Sequence, residues 1–256
     1  MSKALLYDAT LCIGCKACER GCADQNHLAY DDSIAAQSLT SATKYTTVLT
    51  HGESYMRRLC MNCVDPTCAS VCPVGALHKN ALGPVTYDGN KCMGCRYCMA
   101  ACPFNVPKYE WSKLDPRVRK CDMCSSRVLS GQPTACTEAC PTGATKFGER
   151  DALIEEAKQR IAQNPGKYHD DHLYGLTEVG GTSVLLLSAV PFEYFGYHTA
   201  QESLPLLTYR VLSRIPDFVG LGGVLLAGTW WITKRRDEVA AAEGSHADRN
   251  KEEGHD

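Results

Sequence analysis

The sequence predicts an α+β fold of low regular structure: two tandem units, each built around a pair of metal clusters, followed by one C-terminal apolar helix. Three observations carry this expectation. Sixteen cysteines stand among 256 residues, several times the usage of an ordinary globular chain. They fall in four groups of four, and a single long apolar segment, Ile215 to Thr233, lies near the C-terminus. A hydrophobic fraction of 44% is enough for a core, and a mean hydropathy of −0.25 excludes a polytopic membrane protein while leaving room for one span. A formal net charge of −2 and a pI near 6.4 give no basic footprint, which excludes nucleic-acid binding on electrostatic grounds.

The cysteine spacing is the strongest signal. Cys12, Cys15, Cys18 and Cys22 read C-x2-C-x2-C-x3-C, as do Cys92, Cys95, Cys98 and Cys102. Cys60, Cys63, Cys68 and Cys72 widen the middle gap to four residues, and Cys121, Cys124, Cys136 and Cys140 widen it to eleven. Three thiolates this close, on loops rich in small residues, can converge on one face of an iron–sulfur cube, while the fourth ligates the other cluster of a pair. The fourth cysteine is expected to start a helix, with Pro73, Pro103 and Pro141 in its first turn, where no amide donor is needed. Gly14 and Gly94 let the backbone pass close to the sulfur, so that loop amides can donate to it. Zinc sites use cysteines in pairs and need no third cysteine so close. Disulfide frameworks belong to short secreted chains. The spacing therefore implies four 4Fe–4S clusters in a double ferredoxin-like domain over residues 1–150.

Along that domain, Ala4–Tyr7 and Ala144–Phe147 read as a strand pair. Residues 30–58 form an insertion with a hairpin of Tyr45–Leu49 and Ser54–Arg57 around His51-Gly52. Ala76–Lys79 and Val85–Tyr87 flank a turn and read as a second hairpin. Tyr97 and Phe104, among the ligands, are expected to shield clusters. The histidines have no metal-ligand spacing and carry no role. Residues 151–214 form an extension expected to dock other subunits. It begins with a helix capped by Asp151, running through Ala162 on an apolar face of Leu153, Ile154, Ala157 and Ile161, and stopped by Asn164-Pro165-Gly166.

The segment Ile215–Thr233 opens with Pro216 and Asp217, both suited to a helix N-terminus. Its length of about 28 Å at ~1.5 Å per residue is close to the hydrocarbon core, favouring a transmembrane helix over a buried soluble one. Trp230 and Trp231 would lie at headgroup level, ahead of Lys234-Arg235-Arg236. Gly220, Gly222, Gly223 and Gly228 would let a partner membrane helix approach closely. Residues 234–256 read as a disordered cytoplasmic tail. Positive-inside bias puts the basic cluster in the cytoplasm and the cysteine domain outside. No secretory signal precedes the first ligand, so export requires a signal-bearing partner.

Cys12-Ile-Gly-Cys-Lys-Ala-Cys, Cys60-Met-Asn-Cys-Val-Asp-Pro-Thr-Cys, Cys92-Met-Gly-Cys-Arg-Tyr-Cys, Cys102-Pro-Phe-Asn-Val-Pro, Cys140-Pro-Thr-Gly-Ala and Val179-Gly-Gly-Thr resemble a known family. It is the four-cluster ferredoxin-type β subunit of membrane-bound respiratory formate dehydrogenases and periplasmic uptake hydrogenases. The resemblance runs from Leu5 to Arg236, departing where Ala23 rather than proline follows Cys22. It implies nested ligand sets: Cys12, Cys15 and Cys18 with Cys140; Cys121, Cys124 and Cys136 with Cys22; Cys60, Cys63 and Cys68 with Cys102; Cys92, Cys95 and Cys98 with Cys72. It also implies export with a catalytic subunit, and a single-pass location in a bacterial inner membrane with the clusters on the periplasmic side. The chain shows no nucleophile–base constellation, phosphate loop or dinucleotide fingerprint, so it reads as a non-catalytic electron-transfer subunit. Electrons would pass from a catalytic subunit to a quinone-reactive integral membrane subunit. Arg117-Val-Arg-Lys-Cys-Asp-Met-Cys and the wide fourth group favour a molybdopterin formate dehydrogenase as the catalytic partner. Cys92–Tyr109 and Val190-Pro-Phe-Glu favour the alternative, a nickel–iron hydrogenase.

Overall fold

The computed structural model describes residues 2–35, 37–197 and 204–252. Ala36 of the predicted insertion, 198–203 of the extension and 253–256 of the tail lie outside them. Two units follow each other, Met1–Pro205 and Leu206–Asp256.

Strand β1 (Lys3–Asp8) is the spine of the first unit, and its two-residue period sends side chains into separate cores. Leu5 and Tyr7 join the core that packs against the cysteines, while Ala4 and Leu6 join another. Helix α1 (Ala17–Gln25) follows the first cysteine loop, and α2 (Asp32–Ala35) opens the insertion. Strands β2 (Thr47–His51) and β3 (Ser54–Arg58) form the expected hairpin, with Gly52 at φ 57° in the turn. Next come α3 (Thr67–Ser70), the hairpin of β4 (Leu77–Lys79) and β5 (Val85–Tyr87), and α4 (Tyr97–Ala100). A further hairpin, β6 (Lys108–Tyr109) with β7 (Val118–Arg119), was not anticipated, because strands of two residues carry no readable period. Helices α5 (Ser125–Leu129) and α6 (Ala135–Glu138) lead to β8 (Thr145–Glu149) and α7 (Arg150–Gln163).

Strand β8 pairs antiparallel with β1, Leu5 opposite Phe147, as expected. The other edge of β1 is taken by β9 (Val184–Leu187), in parallel with Leu5 opposite Val184. All of Val-Leu-Leu-Leu is buried, so both faces of β9 are apolar and no alternation marks it in the sequence. Helix α7 packs Leu153, Ile154 and Ala157 against Ala4, Leu6, Leu185 and Leu187. Its N-cap is Glu149, with no side-chain cap bond, rather than Asp151, which lies inside the first turn; Asn164 ends it as expected. The compact unit therefore runs to Pro205 rather than stopping at 150, because β9 belongs to the central sheet. Within this unit, α1 packs on α6 and α3 on α4, which brings the first cysteine group to the fourth and the second to the third.

The second unit holds α8 (Leu204–Leu212) and α9 (Ile215–Glu252). Residues Thr208–Ala241 are apolar and long enough to cross a membrane, and none of that stretch's most apolar window is buried. Phe218, Val224, Leu226, Trp230 and Trp231 are all exposed along it. The helix does not stop at Thr233. It continues to Glu252 through the residues expected to form a disordered tail. Their Ala, Glu and Arg content suits a helix, and extending an existing helix avoids the cost of nucleation.

Candidate metal centres

The cysteine groups share one backbone pattern. Cys18, Cys68, Cys98 and Cys136 are each the second residue of a helix, α1, α3, α4 and α6. The fourth cysteine closes the helical stretch instead of starting one: Cys22 lies within α1, while Cys72, Cys102 and Cys140 lie just past α3, α4 and α6. Pro73, Pro103 and Pro141 thus occupy turns, where a fixed φ suits the first corner and no donor is lost. The turn then aims amides back at the sulfur, the Ala76 N–H donating to Cys72 Sγ at 3.2 Å. Burial alone would raise the Cys72 thiol, but the amides of Leu77, Val74, Ala76 and Gly75 hold it below the ordinary thiol range. Cys140 is lowered in the same way, against burial, by the amides of Thr145, Thr142 and Ala144 and the Thr142 hydroxyl.

The first loop of each group also turns left-handed two residues after its leading cysteine: Gly14 at φ 69°, Asn62 at 47°, Gly94 at 75° and Met123 at 56°. This turn points the N–H of Gly14, Gly94 and Met123 at Cys12, Cys92 and Cys121 Sγ, each at 3.4 Å. Aromatic side chains take the space these two glycines leave. A Cβ on Gly14 would lie 2.5 Å from the Tyr55 ring, and one on Gly94 would lie 2.8 Å from the Tyr109 hydroxyl.

Cysteines distant in sequence are brought together. One cavity is lined by Cys60, Cys63, Cys68 and Cys102, and another by Cys72, Cys92, Cys95 and Cys98. Cys22 neighbours Cys136 and Cys124, and Cys121 neighbours Cys22 and Cys124. Cys12 and Cys18 are neighbours, and Cys140 packs on the same core, while Cys15 stands exposed at its edge. The groupings also lie close enough to act on one another electrostatically. Cys18 faces Cys136, Cys121 faces Cys60, and Cys68 faces Cys98.

Burial and neighbouring sulfurs push these thiols up: Cys18 to about 11, Cys22 to about 12, Cys68 to about 12, Cys98 to about 11 and Cys124 to about 11, with Cys63 and Cys121 also raised. A cationic metal cluster reverses this preference, so binding releases protons and its free energy is also folding free energy. Among the described residues, no three His, Cys, Asp or Glu side chains are set to hold a single metal ion. The four-sulfur cavities instead fit a cluster.

Phe104 is buried in the wall of the Cys60 cavity, but Tyr97 is 63% exposed and shields nothing, because its helix turns it outward. Val179-Gly-Gly-Thr buttresses the second group: Gly181 C=O accepts from Val64 N–H at 2.9 Å, and Thr182 bridges to Cys63. Three cations, two buried and Lys79 partly so, were not singled out in the sequence. Arg57 is 2% exposed and faces Cys136, Cys18 and Cys121. Lys120 Nζ donates to Val85 C=O and faces Cys68. Lys79 Nζ donates to the Asn62 and Cys63 carbonyls at 2.9 and 2.5 Å. Its own pKa is lowered to about 8 by burial, against the pull of Cys63 and Cys60. A lysine or arginine within a hairpin gives no sequence sign that it points inward.

Adjoining four-cysteine pockets, amide-wrapped sulfurs and little other chemistry define a ferredoxin-type iron–sulfur protein that transfers electrons. Comparisons with known proteins agree: the 4Fe-4S dicluster domain family matches residues 52–150. A protein of Nitratidesulfovibrio vulgaris (strain Hildenborough) is 41% identical, over 96% of this chain and 70% of its own length. The hydrogenase-2 operon protein HybA of Escherichia coli O157:H7 is 40% identical over 75% of this chain and 71% of its own. The formate dehydrogenase iron-sulfur subunit of Haemophilus influenzae is 35% identical over 88% and 78%. The chain belongs to this family of iron–sulfur subunits, shared by formate dehydrogenases and the hydrogenase-2 operon protein.

Proposed function

We propose that the sixteen cysteines hold four 4Fe–4S clusters in four sets. The first is Cys12, Cys15, Cys18 and Cys140; the second, Cys22, Cys121, Cys124 and Cys136; the third, Cys60, Cys63, Cys68 and Cys102; the fourth, Cys72, Cys92, Cys95 and Cys98. The observation that carries this is the pair of cavities whose walls contain the third and fourth sets complete. Electrostatic proximity between sets, of Cys18 to Cys136, Cys121 to Cys60 and Cys68 to Cys98, supports a single line running first, second, third, fourth. Cys15 and Cys95, one in each terminal set, are the exposed cysteines, flanked by exposed Ile13 and Met93. The inner sets are the more enclosed. Electrons thus enter and leave at the ends, one at a time, and this chain's residues hold, insulate and order the carriers.

The outer partners are a catalytic subunit and a quinone-reactive membrane subunit, the latter packed against α9. A molybdopterin formate dehydrogenase is the favoured catalytic partner on the sequence context of the fourth cysteine group. A nickel–iron hydrogenase is supported by the 40% identity to the hydrogenase-2 operon protein. The cluster domain lies on the periplasmic side of the inner membrane. Purified anaerobically, the chain should contain about 16 iron atoms, four per cube. About eight would leave two sets empty, and zinc without iron would overturn the reading. Dye reduction by the co-purified complex, with formate or with hydrogen as donor, decides the catalytic partner.

A further inference from the structure

Arg57 lies on β3, buried to 2% exposure, and carries a full positive charge. Its guanidinium donates from Nη1 to Thr145 Oγ1 at 3.1 Å and from Nη2 to Thr46 Oγ1 at 3.2 Å. Both acceptors are neutral hydroxyls. Its Nε–H is buried without a protein partner, and among the described residues no carboxylate pairs with it. A buried cation left in this state is strongly unfavourable, so a counter-charge must reach it. It lies beside the side chains of Cys136, Cys18 and Cys121, which are anions only when they ligate a cluster. Those cysteines belong to the first and second proposed sets, and Thr145, which accepts from Nη1, also turns its amide toward Cys140 of the first set. The backbone of Arg57 is fixed as well: its carbonyl accepts from the Tyr197 hydroxyl at 2.6 Å, and β2 pairs it with Val48.

We infer that Arg57 is the shared counter-charge of the first two clusters and raises both of their reduction potentials. Four thiolates outweigh the positive charge of a 4Fe–4S cube, so each site is anionic and becomes more so on accepting an electron. A fixed cation therefore favours the reduced form, and it does so strongly where water is excluded. Guanidinium is never deprotonated, so the bias holds at every physiological pH. The electron taken up by either cluster comes from the catalytic partner and leaves along the line, so the residue adds no redox step of its own. The inference rests on the four-cluster assignment, which the iron content of the native chain tests separately.

The experiment is a potentiometric titration of the intact complex, followed by electron paramagnetic resonance, for native protein, Arg57→Gln, Arg57→Met and Arg57→Lys. In the neutral variants, the oxidised-to-reduced ratio of two clusters should rise at least tenfold at fixed ambient potential, a downward shift of 59 mV for a one-electron couple. The other two clusters should keep their potentials, and Arg57→Lys should stay within about threefold of native. Full iron loading in the neutral variants with no shift would overturn the inference. If the neutral variants lose iron from two clusters while Arg57→Lys retains it, the charge itself is needed and the inference stands. Equal loss in all three would make Arg57 a packing residue and overturn it.

Discussion

At the residue scale, the left-handed positions beside the sulfurs are the most exacting. Gly14 combines φ 69° with a ring against its missing Cβ. Gly14→Ala should cost about 1–3 kcal/mol through backbone strain and overpacking, read as a lower melting temperature of the loaded chain. Pairing it with Tyr55→Leu should recover only part, since the backbone strain stays. Cys63→Ser should remove about one cluster's iron from the third proposed set and weaken the fold around it, because Cys63 packs against the main core. The cysteines and their glycines were legible in the sequence because cluster chemistry fixes their type and spacing. The direction of the short helices was not: proline is equally at home in a helix's first turn and at a turn's first corner, and only the backbone distinguishes the two. Arg57 was illegible for a different reason. Thr145 meets it only through the folding of a distant segment, and nothing in the hairpin's own pattern turns it inward.

At the element scale, the insertion is tied to α1 by one buried carboxylate. Glu19 accepts from the Val48 amide at 2.6 Å and the Tyr30 hydroxyl at 3.1 Å, and pairs with Lys44 at 2.7 Å. Removing one partner of a buried pair costs about 3–5 kcal/mol. Glu19→Ala should therefore expose the stretch from Tyr30 to Arg58 to limited proteolysis before the rest of the unit is cut. The β6–β7 hairpin has an acid-side weakness. Burial opposes ionisation of Glu110, but bonds from Lys113 and Arg119 win and hold its carboxyl below the usual 4.5. A carboxyl lower in the folded state stabilises above its unfolded value and loses that contribution as pH falls through the folded one. Protection factors of the amides in this hairpin should thus fall below about pH 4.5, and Glu110→Gln should flatten the acid-side dependence. In α9, nothing lies within 4 Å of a Cβ placed on Gly223. Gly223→Leu should leave iron content and dye reduction intact while weakening co-purification of the membrane partner and quinone-linked activity. If Gly220, Gly222, Gly223 and Gly228 all tolerate leucine, the helix is only a tether.

At the scale of the whole molecule, the hairpins and the apolar helix could be read from local pattern, but the closure of the sheet could not. Strand β9 is a fully buried run of four residues, and such runs fit a strand or a helix interior equally well. It also carries the compact unit past the border expected at 150, to Pro205. The reporter test of sidedness is simple: a fusion after Asp256 should behave as cytoplasmic, while external protease reaches the insertion. A periplasmic C-terminus would reverse the orientation. The position of β1 also has a temporal consequence. It leaves the ribosome well ahead of its partners, β8 and β9, which are among the later parts of the unit to be made. In the proposed first set, Cys12, Cys15 and Cys18 likewise wait for Cys140. Closing so long a loop is slow, and until it closes the newborn chain presents unpaired strand edges and open thiols. The order of synthesis thus runs against the order of closure, which makes the growing chain a natural client for a holding chaperone until its far end arrives.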